Sequence, residues 1–199
     1  MGTPWSGLRR IASEKGASSV AQNGLGHANA TASATPKVSL NLDALPRYLG
    51  IMRIAPPASP SDVKWLSLRS RLWPQASEAE QLRDMGEALA RGHCVRLAFA
   101  QNGSAAGFVE ASKRVDYVNG TSTSPVAFLE GLYVEPTSRR KGVARALVAE
   151  IERWALAERC SELASDSPLE NVVAHAAHRA LGFEETERVV YFRRVLRGA

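Results

Sequence analysis

The nine residues Val126-Ala127-Phe128-Leu129-Glu130-Gly131-Leu132-Tyr133-Val134 constrain the fold more than any other stretch of the chain. They are rich in β-branched, aromatic and aliphatic side chains, the composition of a strand. Polar residues do not alternate with apolar ones, so both faces of that strand must be covered. A sheet covered on both faces needs a packing layer on each side, which helices supply in an α/β domain. One carboxylate, Glu130, interrupts the run. A charge inside such a strand is costly unless it is paired or put to use.

The flanking segments agree with an α/β domain. Residues 52–54 form a short strand. Ser59-Pro60-Ser61-Asp62 carries helix-start chemistry, with Ser or Asp as the cap, and Trp65, Leu68 and Leu72 follow at helical spacing up to Pro74. Residues 77–90 form a second helix that Gly92 closes. Strands at 95–100 and 106–112 flank Asn102-Gly103, a hairpin-turn signal. A polar loop, 115–124, leads into the apolar run. Val143, Ala144, Leu147, Val148, Ile151, Trp154 and Ala155 then share one helical stripe. A short strand at 162–165, a helix at 171–181 closed by Gly182, and a last strand at 187–195 complete a mixed α/β sheet.

Residues 1–51 are different. They are rich in Ala, Ser, Gly, Asn and Thr and lack periodicity, so they bury too little apolar surface to offset the entropy of ordering. We expect a disordered extension there and one folded domain over residues 52–199. Arg9 and Arg10 are followed by no continuous apolar core, so a secretory signal is not expected. No apolar run approaches the ~20 residues that cross a bilayer. The expectation is a cytoplasmic protein without a membrane partner. Of the net charge of +5, residues 1–51 carry +3, from five basic and two acidic residues. The remaining +2 is thin support for a nucleic-acid face. Cys94 and Cys160 lack metal-ligand spacing and read as two reduced core thiols, so no metal is expected.

Arg139, Arg140 and Lys141 stand immediately before the helix that follows the apolar strand. A helix N-terminus already carries free N–H groups and partial positive charge, so three cations there are unfavourable in isolation. They become favourable once a polyanion arrives. Gly142 and Ala144 are small enough for a ligand to approach the backbone. The segment matches neither a Walker loop nor a dinucleotide-binding glycine motif. Its Arg139-x-x-Gly142-x-Ala144 directly after a buried strand resembles the pyrophosphate-binding motif of the GNAT acetyltransferase superfamily. A second signature agrees: Asn171-x-x-Ala174 followed by Leu181-Gly182-Phe183. The resemblance implies a mostly antiparallel mixed sheet flanked by helices, with acetyl-CoA as co-substrate. It implies that Arg139, Arg140, Lys141, Gly142, Val143, Ala144 and Arg145 cradle the pyrophosphate and that Asn171 contacts the CoA arm. It also implies that the backbone of Leu132, Tyr133 and Val134 aligns the pantetheine. As a plain structural element, Asn171 would simply cap a helix. Many relatives carry a tyrosine seven residues after that asparagine to protonate the departing thiolate. Here the position is His178, which is either that acid or a helix residue without chemistry.

The acceptor must be read from other residues, because the fold hosts many substrates. Glu130, Asp166 at the end of a short strand, and Glu187 could surround a cleft as a trap for a polycation. Trp73 and Tyr117 could add flat faces. Each has a plainer reading: Trp73 as a core residue, Tyr117 as a loop residue, Glu130 as partner to an internal arginine. Taken together, "LRSRLWP", "DYVNG", "SPVAFLEGLYV", "ASDSPLEN" and "ALGFEETERVVYFRR" resemble the chromosomal aminoglycoside 6'-N-acetyltransferases over Met52 to about Arg194. That resemblance implies that Trp73, Tyr117, Glu130, Asp166 and Glu187 contact an aminoglycoside, and that the chain forms a homodimer. The 6'-amine must lose a proton before attacking the thioester, so Glu130 or Asp166 is the expected base, direct or through water. Competing readings are a GNAT enzyme for a polyamine, a protein N-terminus or another small amine, a CoA-binding module without catalysis, and a nucleic-acid binder.

Overall fold

The computed structural model describes residues 53–195. The expectation for residues 1–51 lies outside them. Strand β1 (Arg53–Ala55) precedes helices α1 (Val63–Leu72) and α2 (Glu78–Ala90), then β2 (Cys94–Phe99), β3 (Ala105–Arg114) and β4 (Val126–Val134). A short 3-10 turn (Pro136–Ser138) leads to α3 (Val143–Ala157), β5 (Leu163–Ser165) and α4 (Val172–Ala180).

Local chemistry sets the helix starts. Asp62 caps α1 by accepting from the amides of Lys64 and Trp65. Ser77 and Glu80 form a reciprocal capping box on α2. Asn102-Gly103 closes the β2–β3 hairpin, with Gly103 at φ 77°. That is the left-handed conformation which glycine adopts without a Cβ penalty.

The sheet order is β1-β2-β3-β4-β5. The first three pairings are antiparallel and β4–β5 is parallel, with α3 as the crossover. Helices α1 and α2 cover one face around Trp65, Leu68, Leu72, Met85, Leu97 and Phe108. Helix α3 covers the other, where Leu147, Val148 and Ile151 meet Ala98, Val109, Leu129 and Leu132. The apolar run of β4 is therefore buried from both sides, as its composition requires. Cys94 and Cys160 are both free and buried.

The expected last strand is a correction. Residues 187–195 form no strand among the described residues. Val190, Tyr191, Phe192 and Val195 are exposed, Phe192 at 93%. Their composition favours extended structure, but a strand needs a hydrogen-bonded neighbour, and the described sheet offers them none.

Candidate active site

Two irregularities in β4 organise the site. First, the β3–β4 register passes from Glu110↔Gly131 to Ala111↔Leu129, leaving Glu130 as an extra residue in a β-bulge. Second, β4 pairs with β5 only from Ala127 to Leu129. Beyond that point the two parallel strands part, and Gly131 through Val134 keep ladder partners only in β3. The backbone edge of Leu132, Tyr133 and Val134 towards β5 is thus open to an extended ligand.

The bulge also gathers polar groups on the α1 side of the sheet. Glu130 Oε1 accepts from Ser112 Oγ at 2.5 Å and from Arg114 Nη2 at 2.9 Å. The Arg114 guanidinium lies 3.3 Å from the centre of the Phe128 ring. Glu130 is therefore paired with an internal arginine and still partly solvent-facing. Asp166 follows β5 where the strands part. Desolvation raises its carboxyl above the ordinary range, Arg114 opposes that shift, and Glu130 adds to it.

Beneath this pair lies a second, fully buried one. Both carboxylate oxygens of Glu110 accept from Arg69 Nη1 at 2.5 Å, and Oε1 also accepts from Trp65 Nε1 at 2.6 Å. Arg69 Nε donates to Gln81 Oε1 at 3.0 Å, and Gln81 Nε2 donates to the Trp73 carbonyl at 3.0 Å. Burial lifts the Glu110 carboxyl above its ordinary value despite Arg69. This network joins α1, α2 and β3 and fixes Trp73. The Trp73 ring has the Arg69 guanidinium 4.4 Å from a ring centroid and Phe108 at its edge. Trp73 is only 8% exposed. It is a core residue packed under the bulge, and a broad stacking face for a ligand is not available on it.

The loop between β3 and β4 is tethered at two points. Val118 is buried against Val126 and Phe128, and the Glu162 carboxylate accepts from the amides of Ser122 and Thr123 at 3.0 and 2.7 Å. Those bonds, with the Thr123 hydroxyl foremost, hold the Glu162 carboxyl below its ordinary range. Tyr117 is held outward at 76% exposure. Thr186 packs against Gly120 so closely that a Cβ there would meet its Oγ1 at 2.1 Å. That contact brings exposed Glu187 beside the same loop.

On the donor side, α3 begins at Gly142 with φ 80° and no side-chain cap. Its first amides are left for another acceptor. Arg140 is also left-handed, at φ 59°, which costs a non-glycine residue about 1–2 kcal/mol. Arg140, Lys141 and Arg145 are exposed around this start, while Val143 is buried and Ala144 half-buried. Arg139 Nε donates to the Val134 carbonyl at 3.0 Å, tying the loop to the end of β4. Arg145 reaches the Ala180 carbonyl at 3.4 Å, joining α3 to α4. Anionic oxygens fit this uncapped, cation-ringed helix start.

Asn171 caps α4, its Oδ1 accepting from Ala174 N at 3.1 Å. His178 Nδ1 lies 2.9 Å from the Ala174 carbonyl, and its ring meets Phe183 edge-on at 5.2 Å. A carbonyl only accepts, so Nδ1 must carry the proton. Burial lowers the imidazole pKa. The favoured form is neutral with Nε2 unprotonated, a poor proton donor.

Glu110, Arg69, Ser112 and Arg114 belong to this polar cluster and are not among the residues expected from sequence. One signal was available: Glu110, like Glu130, is a carboxylate inside an apolar strand, Ala106-Gly107-Phe108-Val109-Glu110-Ala111.

The sequence pattern of the Acetyltransferase (GNAT) family matches residues 63–183. An aminoglycoside N(6')-acetyltransferase type 1 of Acinetobacter haemolyticus is 50% identical over 141 residues, covering 71% of this chain and 97% of the relative. One from Stenotrophomonas maltophilia is 53% identical over 138 residues, covering 68% and 89%. Among solved structures, AAC(6')-Iy in complex with the bisubstrate analog CoA-S-monomethyl-acetylneamine is similar with a TM-score of 0.69 and 43% identity, covering 73% of this chain and 99% of that one. AAC(6')-Ih from Acinetobacter baumannii gives 0.69 and 46%, with the same coverage.

Proposed function

Since the chain belongs to the GNAT acetyltransferases, within the group of aminoglycoside 6'-N-acetyltransferases, we propose that it moves the acetyl group of acetyl-CoA onto the 6'-amine of aminoglycosides, giving antibiotic resistance. One structural observation carries the acceptor side. Glu130 and Asp166 interact with each other where the β4–β5 pairing ends, and the helix that follows β4 starts uncapped, as suits a pyrophosphate.

Acetyl-CoA is the donor. The amides at the start of α3, with Arg140, Lys141 and Arg145 around them, receive its pyrophosphate, and the open edge of Leu132 to Val134 receives the pantetheine. Glu130, Asp166 and Glu187 attract the polycationic drug. Tyr117 contributes an exposed ring, and Trp73 contributes support beneath Glu130 more than contact. A carboxylate takes the amine proton, directly or through water. The neutral nitrogen then attacks the thioester carbonyl: a C–N bond forms, the C–S bond breaks, and the proton that the nitrogen sheds on becoming an amide is taken up by the departing thiolate. The tautomer held by Ala174 disfavours His178 as the acid in that step. Asn171 holds the start of α4 beside the donor. A homodimer and a cytoplasmic location complete the proposal. The exposed apolar residues Val190, Tyr191 and Phe192 support a second copy as cover for the C-terminal segment, and light scattering at two concentrations tests it.

The decisive measurement is CoA release with a matched pair of aminoglycosides, one bearing a 6'-amine and one a 6'-hydroxyl. Turnover of the first alone is expected. Turnover of spermidine with neither drug acetylated would transfer the assignment to a polyamine enzyme.

A further inference from the structure

The acceptor cleft has an electrostatic problem that its carboxylates alone do not solve. A carboxylate beside an amine stabilises the ammonium form, so the groups that attract a polycation also delay the loss of the proton that attack requires. A cation within the same cluster relieves this. Arg114 is that cation. It is bonded to Glu130 Oε1 at 2.9 Å and stacked on Phe128 at 3.3 Å. Its Nε is buried and makes no hydrogen bond among the described residues. The guanidinium is thus held by one carboxylate and one ring face, with its side chain still partly exposed.

Among the described residues, two further carboxylates act on Arg114 or Glu130. Asp166, beyond β5, interacts with both. Glu110, on the same face of β3, interacts with Glu130 and is paired with Arg69 from α1. Ser112 donates to Glu130 and carries no charge. Arg114 is therefore what balances Glu130 and Asp166.

We propose that Arg114 is a positioning residue for acetyl transfer: it holds Glu130 in the bulge and tempers the Glu130–Asp166 field, so that the drug is attracted without its reacting amine being locked as ammonium. This rests on the acetylation of an amine at this cleft. Arg114 binds neither substrate. It acts through Glu130, and its charge matters as well as its shape.

The test is the pH profile of kcat and kcat/KM on a 6'-amino aminoglycoside. Arg114→Gln should move the ascending limb to higher pH by about half a unit or more and lower kcat at pH 7 several-fold, with KM for the drug unchanged or reduced. Glu130→Gln should move the limb the other way and raise KM. Arg114→Lys, which keeps the charge, should leave the limb within about 0.2 units of wild type. A limb that stays fixed in both glutamine variants, or moves in one direction for both, overturns the proposal. So does an Arg114→Lys profile equal to that of Arg114→Gln. Should Arg114→Gln fail to fold, Arg114→Met takes its place, and a limb at the wild-type position in that variant overturns the proposal. Absence of turnover by the wild-type enzyme would instead count against the acetylation reading.

Discussion

Trp73 packs against Gly131 with no room for a side chain: a Cβ at residue 131 would lie 2.7 Å from Trp73 Cη2 and 2.9 Å from Cζ2. Both partners are fixed, the glycine by the β3–β4 ladder and the indole by Arg69, Phe108 and the rest of the α1–α2 core. Gly131→Ala should therefore cost about 1–3 kcal/mol, as overpacking does. It should also lower kcat/KM for the drug by displacing the bulge. Thermal unfolding and steady-state kinetics measure both. Adding Trp73→Phe should restore part of the stability, and no recovery would show that the contact is not the cause.

Glu130→Gln and Asp166→Asn remove charge with little change in shape. Each should reduce kcat/KM for a 6'-amino aminoglycoside by at least about tenfold, the scale of a charge-assisted contact or a catalytic base. Acetyl-CoA affinity by calorimetry should stay within about twofold of wild type. Unaltered drug kinetics in both variants would remove these carboxylates from the acceptor site.

Gly142→Trp addresses the donor. The substitution forces a bulky residue to φ 80° and sets it over the first amides of α3. Acetyl-CoA binding should weaken by about a hundredfold or more, the loss of roughly 3 kcal/mol. Tight binding by this variant would mean that the pyrophosphate lies elsewhere.

The Arg69–Glu110 pair is buried on both sides, so breaking it leaves an uncompensated charge. Arg69→Met should destabilise the protein by about 3–5 kcal/mol, and Arg69→Met with Glu110→Gln by distinctly less. Urea unfolding of the two variants supplies the comparison. Equal losses would indicate that packing around Arg69, not charge pairing, is what the fold depends on.

His178 gives the pH dependence of stability a definite sign. Burial depresses its pKa in the folded state, so the unfolded chain binds the proton more readily. Its contribution is intact above the unfolded histidine value of about 6.5 and is lost as pH falls from there through the lower folded value. His178→Gln should show a smaller drop in Tm between pH 7.5 and 5.5 than wild type. It should also keep kcat at pH 7 within about tenfold, less than the usual contribution of an acid catalyst. A hundredfold loss of kcat with an unchanged Tm profile would reinstate His178 as the proton donor.

Much of this architecture is local in origin and was legible for that reason. Asp62, Ser77 with Glu80, Asn102-Gly103 and Asn171 act on neighbours within four residues, and each forms the cap or turn its sequence implies. The apolar composition of β4 specified its burial. Glu130 was recognisable as an intruder in that strand, but its partner was not, because Arg114 lies sixteen residues away and is reached only through the β3–β4 register. The Glu110–Arg69 pair spans forty-one positions and was invisible for the same reason. Trp73 shows the converse. Its aromatic ring suggested a stacking surface, and only tertiary packing reveals that Arg69 and Gly131 occupy it. Residues 187–195 show that strand-like composition does not create a strand without a neighbour to pair with.

The single extra residue at Glu130 works as a phase slip. Upstream of it, Phe128 faces the α1 side and Leu129 faces α3; downstream, Gly131 faces the α1 side and Leu132 faces α3. The strand is thereby divided into two reading frames. In the proposed binding mode its first half, with Glu130, addresses the acceptor, and its second half, through backbone groups, addresses the donor. On that proposal, side chains of the first frame can be exchanged without moving the backbone of the second. Loss of Glu130 would merge the frames into one unbroken alternation with every other β4 side chain on its present face, and would remove the carboxylate bonded to Arg114.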